Sequence, residues 1–325
     1  MMTTRKNLLQ ILESEPNQWV SGEKIANLLS VSRAAIWKSA NNLRKEGYII
    51  DAVRNKGYRL VSDADILSEL GIWKYLEPQC SKLDLHVLPE VGSTNVLLQE
   101  KASSGCPEGT VLIAAMQTDG KGRAGRRFYS PADTGVYMSI LLRPEGQDPM
   151  MAMKITTAAA VAACEAIESV SEKKPQIKWV NDVYLDHKKV CGILTEASVN
   201  LETGMFDFVV LGIGFNVYCP EAGFPKEIED KAGYILERHE NGNKNKLAAG
   251  FLNSFMKIYS ENEFENYVQK YKERNMVIGK KAVIIRGTKT RNAEVIDIDD
   301  TCRLVVRFDN DDIEHLLAGE ISLQI

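Results

Sequence analysis

Residues 117–128 read Gln-Thr-Asp-Gly-Lys-Gly-Arg-Ala-Gly-Arg-Arg-Phe, with four cations, Lys121, Arg123, Arg126 and Arg127, inside seven positions. Glycines there let the backbone wrap closely around a ligand and expose N–H groups, and the cations answer phosphate or carboxylate charge. The segment follows an expected strand, Thr110–Met116, and satisfies G-x-G-x-x-G. A dinucleotide-binding turn would need a helix to open at the last glycine. Arg126-Arg127-Phe128-Tyr129-Ser130-Pro131 follows instead, without helical apolar spacing, and Glu145 at a ribose-binding distance does not outweigh that. The Rossmann reading fails. No H-R-D or D-F-G follows and no Walker A sequence occurs, so a kinase and a P-loop protein fail too.

Two further segments carry related chemistry. Lys178-Trp179-Val180-Asn181-Asp182 leads into Lys188-Lys189-Val190-Cys191-Gly192-Ile193-Leu194, a hairpin pattern with lysines at its turn. Gly212-Ile213-Gly214-Phe215-Asn216 sets small residues in an apolar strand, which suggests close backbone approach to a ligand. Ser93-Thr94-Asn95 reads, on local grounds, as a helix N-cap.

These segments need a scaffold, and the composition supplies an ordinary globular one: 44% hydrophobic and 26% charged, with 23 Gly and 10 Pro in 325 residues. No apolar stretch reaches the roughly 18 residues of a membrane helix, so no membrane partner is expected. The most apolar run, Ile155–Ile167, is Ala-rich and reads as a buried helix. The N-terminus lacks a signal-peptide pattern, and a cytoplasmic location is expected. Six cysteines without C-x-x-C read as buried free thiols.

Charge divides the chain. The net is −4, yet residues 1–62 hold 10 Lys/Arg and 5 Asp/Glu, a net of +5, leaving −9 for the rest. That asymmetry suggests a nucleic-acid module on an acidic body. Apolar spacing predicts a helix over 5–15, a second after Ser21 with Ile25, Leu28 and Leu29 inward, and a third capped by Ser32. The third buries Ile36, Ala40 and Leu43 and presents Arg33, Ala34, Lys38, Asn41 and Asn42. Strands at 48–53 and 57–61, joined through Arg54 and Lys56, complete a winged helix-turn-helix. Residues 63–78 read as linker and helix, with Ser62–Asp65 as the cap and the helix running to about Leu76. Mixed strands and helices over 79–278 predict an α+β domain, and short alternating strands over 279–325 a small β-barrel.

Taken together, S-T-N at 93–95, the G-K-G-R-A-G-R-R loop, K-W-V-N-D, K-V-C-G-I-L at 189–194 and G-I-G-F-N-V at 212–217 resemble the bifunctional biotin protein ligases and biotin operon repressors of bacteria. Ser32–Lys38 and Lys56–Leu60 match the repressor head, so the resemblance spans essentially the whole chain. Val180 stands where the family usually has proline, and Ala124 where a basic residue is common. The resemblance implies a multidomain α+β protein: winged helix-turn-helix, biotin/lipoate-type ligase domain, and SH3-like C-terminal barrel. It implies an ATP-dependent ligase that forms biotinyl-5′-AMP and transfers biotin to a lysine of the biotin carboxyl carrier protein of acetyl-CoA carboxylase. It also implies a repressor that binds operator DNA as a homodimer when loaded with adenylate.

By the same resemblance, Ser93, Thr94, Asn95 and Gln117 hold the biotin head group. Lys121, Gly122 and Arg123 close over biotin and the adenylate phosphate, and Lys189 is set against the biotin carboxylate and the nucleotide phosphate; Lys189 and Arg123 are the catalytic pair. Arg126, Asn181, Asp182 and Asn216 serve the nucleotide, with Asp182 a Mg²⁺ contact. Arg33, Ala34, Lys38, Asn41, Arg54 and Lys56 face DNA. A lipoate-type ligase and a non-catalytic biotin-sensing transcription factor are the alternatives. The basic head speaks against the first, and the presence of Lys189 and the loop cations against the second.

Overall fold

Helix α1 (Thr4–Ser14) places Leu8, Leu9 and Leu12 on one buried face, as their spacing requires. The computed structural model describes residues 4–15, 17–45, 48–61, 65–145, 150–200, 206–240, 242–260, 267–286, 289–317 and 320–323. The chain forms two compact units, Met1–Lys74 with Arg238–Asn245, and Tyr75–Glu237 with Lys246–Ile325.

In the first unit, α2 (Gly22–Leu29) begins where the Ser21 hydroxyl accepts the Lys24 N–H at 3.0 Å. Helix α3 (Arg33–Lys45) begins where Ser32 accepts the Ala35 N–H at 3.2 Å. Ile25, Ile36, Ala40 and Leu43 join the α1 leucines in one core. Leu28, expected inward, is 62% exposed. A two-turn helix offers a narrow stripe, and Ile25, Ala26 and Leu29 fill it. Strands β1 (Ile50–Val53) and β2 (Gly57–Leu60) pair antiparallel from Ile50–Leu60 to Val53–Gly57. Gly57 is required there: its φ is +104°, and a Cβ would lie 2.0 Å from the Val20 carbonyl oxygen. Three helices and a hairpin give the expected winged helix-turn-helix. The next helix, α4 (Glu69–Trp73), is shorter than expected and capped by Ser68, whose hydroxyl accepts the Gly71 N–H at 3.0 Å. Of the expected cap, Ser62, Asp63 and Ala64 lie outside the described residues, and the Asp65 carboxylate instead accepts the Lys244 N–H at 3.0 Å.

The second unit is built on a seven-stranded sheet. Its elements run β3 (Asp84–Leu88), α5 (Thr94–Ser103), β4 (Thr110–Ala114), β5 (Gly135–Leu142), α6 (Met151–Val170), β6 (Gln176–Lys178), β7 (Asp182–Leu185), β8 (Lys188–Val199) and β9 (Phe206–Asn216). The strand order is β3-β4-β5-β9-β8-β7-β6; β3 and β4 are parallel through the α5 crossover, and the other pairs are antiparallel. Helix α5 buries Leu98 and Ala102 against Leu112, Leu141 and Val210. The Ala-rich run of α6 is buried, and its small side chains let the helix lie close on β8. The apolar run 177–185 is two strands, not one, because the backbone turns at 179–181. Helices α7 (Asn243–Ser260) and α8 (Tyr267–Glu273) follow.

Strands β10 (Lys281–Arg286), β11 (Lys289–Ile298), β12 (Leu304–Phe308), β13 (Ile313–Leu316) and β14 (Glu320–Leu323) form the small C-terminal antiparallel sheet in the order β13-β12-β11-β10-β14. Among the described residues β13 and β14 do not pair, so hydrogen bonds do not close it into a ring. Four cysteines are buried as expected, but Cys106 is half-buried and Cys219 exposed. No helix among the described residues is long and apolar enough to cross a membrane.

Candidate active site

One cleft, with a cavity volume of about 50 Å³, collects residues from several segments of the second unit. Ser93, Thr94 and Asn95 enter at the start of α5, and Gln117 follows β4. Lys121, Gly122 and Arg123 come from the glycine-rich loop, Asn181 from the β6–β7 turn and Lys189 from the start of β8. The paired segments Gly192-Ile193-Leu194 of β8 and Gly212-Ile213-Gly214 of β9 also line it.

The first group is neutral and polar. Ser93 is the N-cap residue of α5, as its local sequence suggests, but its side chain makes no cap bond and lines the cleft. The Thr94 N–H and hydroxyl both donate to Gln117 Oε1, at 2.9 and 3.1 Å, and Gln117 Nε2 donates to Ser130 Oγ at 3.1 Å. Buried Ser139 of β5 lies 2.7 Å from Thr94 Oγ1 and 2.6 Å from Asn95 Oδ1. Asn95 Nδ2 donates to Glu196 Oε2 at 2.8 Å and to the Leu194 carbonyl at 3.3 Å. Each polar head is thus held by a buried network rather than left to choose a rotamer. Sequence reasoning missed Ser139 and Glu196. Ser139 carried a usable signal, as a lone hydroxyl in the apolar run 136–142.

The second group is charged. Arg123 Nη1 donates to Asn181 Oδ1 at 3.0 Å, and Asn181 is anchored by Nδ2 donating to the Ile193 carbonyl at 2.7 Å. Lys189 Nζ lies 2.6 Å from Asp182 Oδ1. Asp182 Oδ1 is buried, and this ion pair with Lys189 answers its charge. Lys178 pairs across β6–β7 with Asp182. Burial holds the Lys178 ammonium below its ordinary pKa against the pull of Asp182, and Lys189, Lys231 and Arg126 push the same way as burial. On the loop, Lys121 lies 2.5 Å and Arg127 3.3 Å from Asp119, and the Lys121 hydrogen bond keeps that carboxyl below its usual range. No helix opens after the loop; Arg123–Gly125 is a single 3₁₀ turn, with Ala124 at a φ of 55°.

Some expected residues stand apart. Arg126 is exposed and outside the cleft lining, and Asp182 meets the cleft through Lys189. Asn216 also lies outside the lining; its Nδ2 donates to the Gly233 carbonyl at 3.0 Å, in a segment whose Lys231 carbonyl accepts the Lys189 N–H at 2.7 Å. The small residues of β9 make room for the protein's own side chains: a Cβ on Gly212 would lie 2.0 Å from Asn95 Oδ1, and one on Gly214 2.5 Å from the Phe128 ring. Phe128, also lining the cleft, was not anticipated. The Trp179–Val180 peptide is cis, and the Val180 carbonyl accepts from Tyr271 Oη at 3.0 Å.

In the first unit, Arg33, Ala34 and Lys38 are exposed on α3, and Arg54 and Lys56 at the hairpin tip. Asn41 is half-buried and accepts from Arg44 Nη1 at 2.8 Å. Lys56 Nζ lies 5.9 Å from the centre of the Trp19 ring. Trp37, on the outer face of α3, is 59% exposed and was not anticipated.

Three family models match parts of the chain: an HTH domain over residues 4–59, the biotin/lipoate A/B protein ligase family over 87–216, and the biotin protein ligase C terminal domain over 277–324. The chain is similar to the bifunctional ligase/repressor BirA of Bacillus subtilis, with 39% identity over 231 residues, 71% of this chain and 70% of the relative. Its likeness to the bifunctional ligase/repressor BirA of Escherichia coli is 29% over 94% of this chain and 92% of the relative. Among solved structures, the biotin protein ligase of Aquifex aeolicus in complex with biotin and ATP aligns with a TM-score of 0.61 and 27% identity, over 74% of this chain and 98% of that one. With a DNA-binding fold, a ligase domain and a C-terminal domain all matched, the chain belongs to the bacterial bifunctional ligase/repressor family of biotin protein ligases.

Proposed function

We propose that the chain activates biotin with ATP and transfers it to a lysine of the biotin carboxyl carrier protein, and that it represses biotin genes through its N-terminal unit. The observation that carries the ligase reading is the pairing, in one cleft, of a neutral hydrogen-bonded set (Ser93, Thr94, Asn95, Gln117) with cations (Lys121, Arg123, Lys189). The first set suits an uncharged ureido ring. The second suits the junction of a carboxylate and a phosphate.

In the first step a biotin carboxylate oxygen attacks the α-phosphorus of ATP, and pyrophosphate leaves. In the second the carrier lysine's amine attacks the acyl carbon, and AMP leaves. Neither step needs a nucleophile from the protein. The residues at hand supply position and charge: Lys189 against the carboxylate, and Arg123, braced by Asn181, against the phosphate. Lys121 and Gly122 fold over the mixed anhydride and shield it from water. Asn181, Arg126 and Asn216 serve the nucleotide side.

Magnesium fits the residues in one way. Among the described residues no group of three or more His, Cys, Asp and Glu could cage a metal ion. Asp182 supplies one carboxylate beside the cleft, its Oδ1 already 2.6 Å from the Lys189 ammonium, and the other ligands of a phosphate-borne Mg²⁺ would be phosphate and water oxygens. When bound, the ion supplies charge neutralisation on the phosphates, and Asp182 would hold it.

The DNA role falls to residues 1–62, with α3 reading bases through Arg33, Ala34, Lys38 and Asn41, and Arg54 and Lys56 on phosphates. One winged head makes few base contacts, so a homodimer on a palindrome, formed with adenylate bound, is the repressing species. The remaining boundaries we assign are 63–78 for linker and helix, 79–278 for catalysis and 279–325 for the C-terminal domain. The test of the ligase is pyrophosphate–ATP exchange without any carrier. Exchange that depends on biotin supports it; exchange with lipoate alone, or none, overturns it.

A further inference from the structure

The outer face of α3 carries one residue that charge does not explain. Trp37 is 59% exposed there, and Ala34, Trp37, Lys38 and Asn41 recur at helical spacing as one stripe. The opposite side of the helix buries Ile36, Ala40 and Leu43 in the core. A single exposed apolar residue is ordinary on a protein surface. This one sits in the stripe that a winged helix-turn-helix turns toward the major groove. Asn41, on the same stripe, is held back: its Oδ1 accepts from Arg44 Nη1 at 2.8 Å, while Arg44 Nε donates to the Ile50 carbonyl at 2.8 Å. That amide is tied to the first strand of the hairpin rather than free to pair bidentately with an adenine. The middle of the stripe is therefore apolar.

We propose that Trp37 reads DNA sequence by packing its indole on a thymine C5-methyl group in the major groove, so that the preferred half-site carries a thymine under the middle of α3. This rests on the operator-binding reading above. Each base pair shows a distinct pattern in that groove, and thymine alone adds a methyl group. An indole has one N–H and no acceptor, so it cannot make the bidentate pairs by which arginine or asparagine selects a purine. What it offers is a broad apolar surface, the match for a methyl. Ala34, exposed one turn earlier, extends that surface without adding bulk. Charge brings the face to a duplex: Arg33 and Lys38 on α3, and Arg54 and Lys56 at the hairpin tip, are all exposed. Burying one methyl group raises affinity about fourfold, so two half-sites of a palindrome give about 15-fold.

Deoxyuridine supplies the test, because it pairs as thymidine does and lacks only the methyl group. The full chain, with biotin, ATP and Mg²⁺, first selects duplexes from a random pool. Each symmetric pair of thymines in a selected duplex is then replaced by deoxyuridine. The expected result is a pair of positions at which the parent loses about 15-fold in affinity. Trp37→Ala should lose at least as much on the thymine duplex and show no further loss on the deoxyuridine one. It should also keep the parent's salt dependence, since no phosphate contact is removed. Trp37→Phe, apolar without the N–H, should keep most of the preference for the methyl. Equal affinity of the parent for both duplexes at every position overturns the proposal, and so does a Trp37→Ala variant that still loses affinity at the same pair. Weaker self-association of Trp37→Ala without DNA, read by sedimentation, overturns it too and gives the residue to a contact between copies. A thermal melt checks the variant; if it does not fold, Trp37→Gln takes its place in the same comparison. A parent that selects no duplex overturns the operator-binding reading itself.

Discussion

Gly212→Ala is a methyl-sized test of the neutral half of the cleft. An added Cβ would lie 2.0 Å from Asn95 Oδ1, 2.7 Å from its Cγ and 2.8 Å from its Nδ2. Asn95 is 4% exposed, and its amide is tied to Ser139, Glu196 and the Leu194 carbonyl. Gly212 sits in β9 between β5 and β8, so its backbone cannot retreat without breaking two ladders. The side chain of Asn95 must therefore move. Hydrogen bonds of this kind are worth about 1 kcal/mol each, and a buried group left unsatisfied costs about 1–3 kcal/mol. The displacement should cost about 2–4 kcal/mol of stability, and biotin should bind more weakly because Asn95 no longer holds its place in the cleft. Strand propensity works the other way, since alanine replaces glycine inside a strand, so it cannot explain a loss. Calorimetry with biotin gives the affinity, and a thermal melt gives the stability. In the Asn95→Ala background the overlap is gone, and Gly212→Ala should then leave the melting temperature nearly unchanged. Parental biotin affinity in the Gly212→Ala single variant would refute the reasoning.

Four other outcomes are expected. Lys189→Ala should slow biotin-dependent pyrophosphate exchange by roughly 10²–10³, whereas Lys188→Ala, whose ammonium donates to the Glu229 carbonyl, should have little effect. Arg123→Gly should release adenylate that acylates lysines of an unrelated bystander protein; biotin confined to the carrier would remove the retention role. Arg54→Ala with Lys56→Ala should weaken binding to any duplex and flatten its salt dependence by about two phosphate equivalents, while Arg33→Ala should change the preferred sequence, as read by selection from random duplexes. In the C-terminal sheet, burial raises the Asp299 carboxyl pKa, but hydrogen bonds from His315, Thr301 and Arg303 prevail and hold it well below its usual value. A depressed carboxyl stabilises above its unfolded pKa and loses that contribution as pH falls through the folded value. Asp299→Asn should thus lower the melting temperature at pH 7, with the gap to the parent narrowing as pH drops below about 4.

How far the sequence reaches depends on whether a contact is local. The cations of the glycine-rich loop were legible because charge types at short spacing state their own chemistry, whereas K-W-V-N-D and Lys189 gained their roles from the family resemblance. The structure duly gathers Lys121, Arg123, Asn181 and Lys189 in one cleft. The winged unit was legible because its core follows helical spacing and its caps are serines that act within one turn. Leu28 escaped because spacing fixes a face but not its width. Partners that the sheet brings together left little local trace. Gly212 and Gly214 announced a close approach, but nothing along β9 says that Asn95 and Phe128, from distant segments, fill the space. Ser93 is a cap position, which the local rule for caps finds, yet its role in the cleft is set by strands folded against it. Residues 238–245 return to the first unit, a connection that no composition shift marks. The same division holds for Asp182. Its motif was visible, but its hold on Lys189 follows from the β7–β8 register and the bare backbone of Gly192, which place a carboxylate and an ammonium in contact before any substrate intervenes.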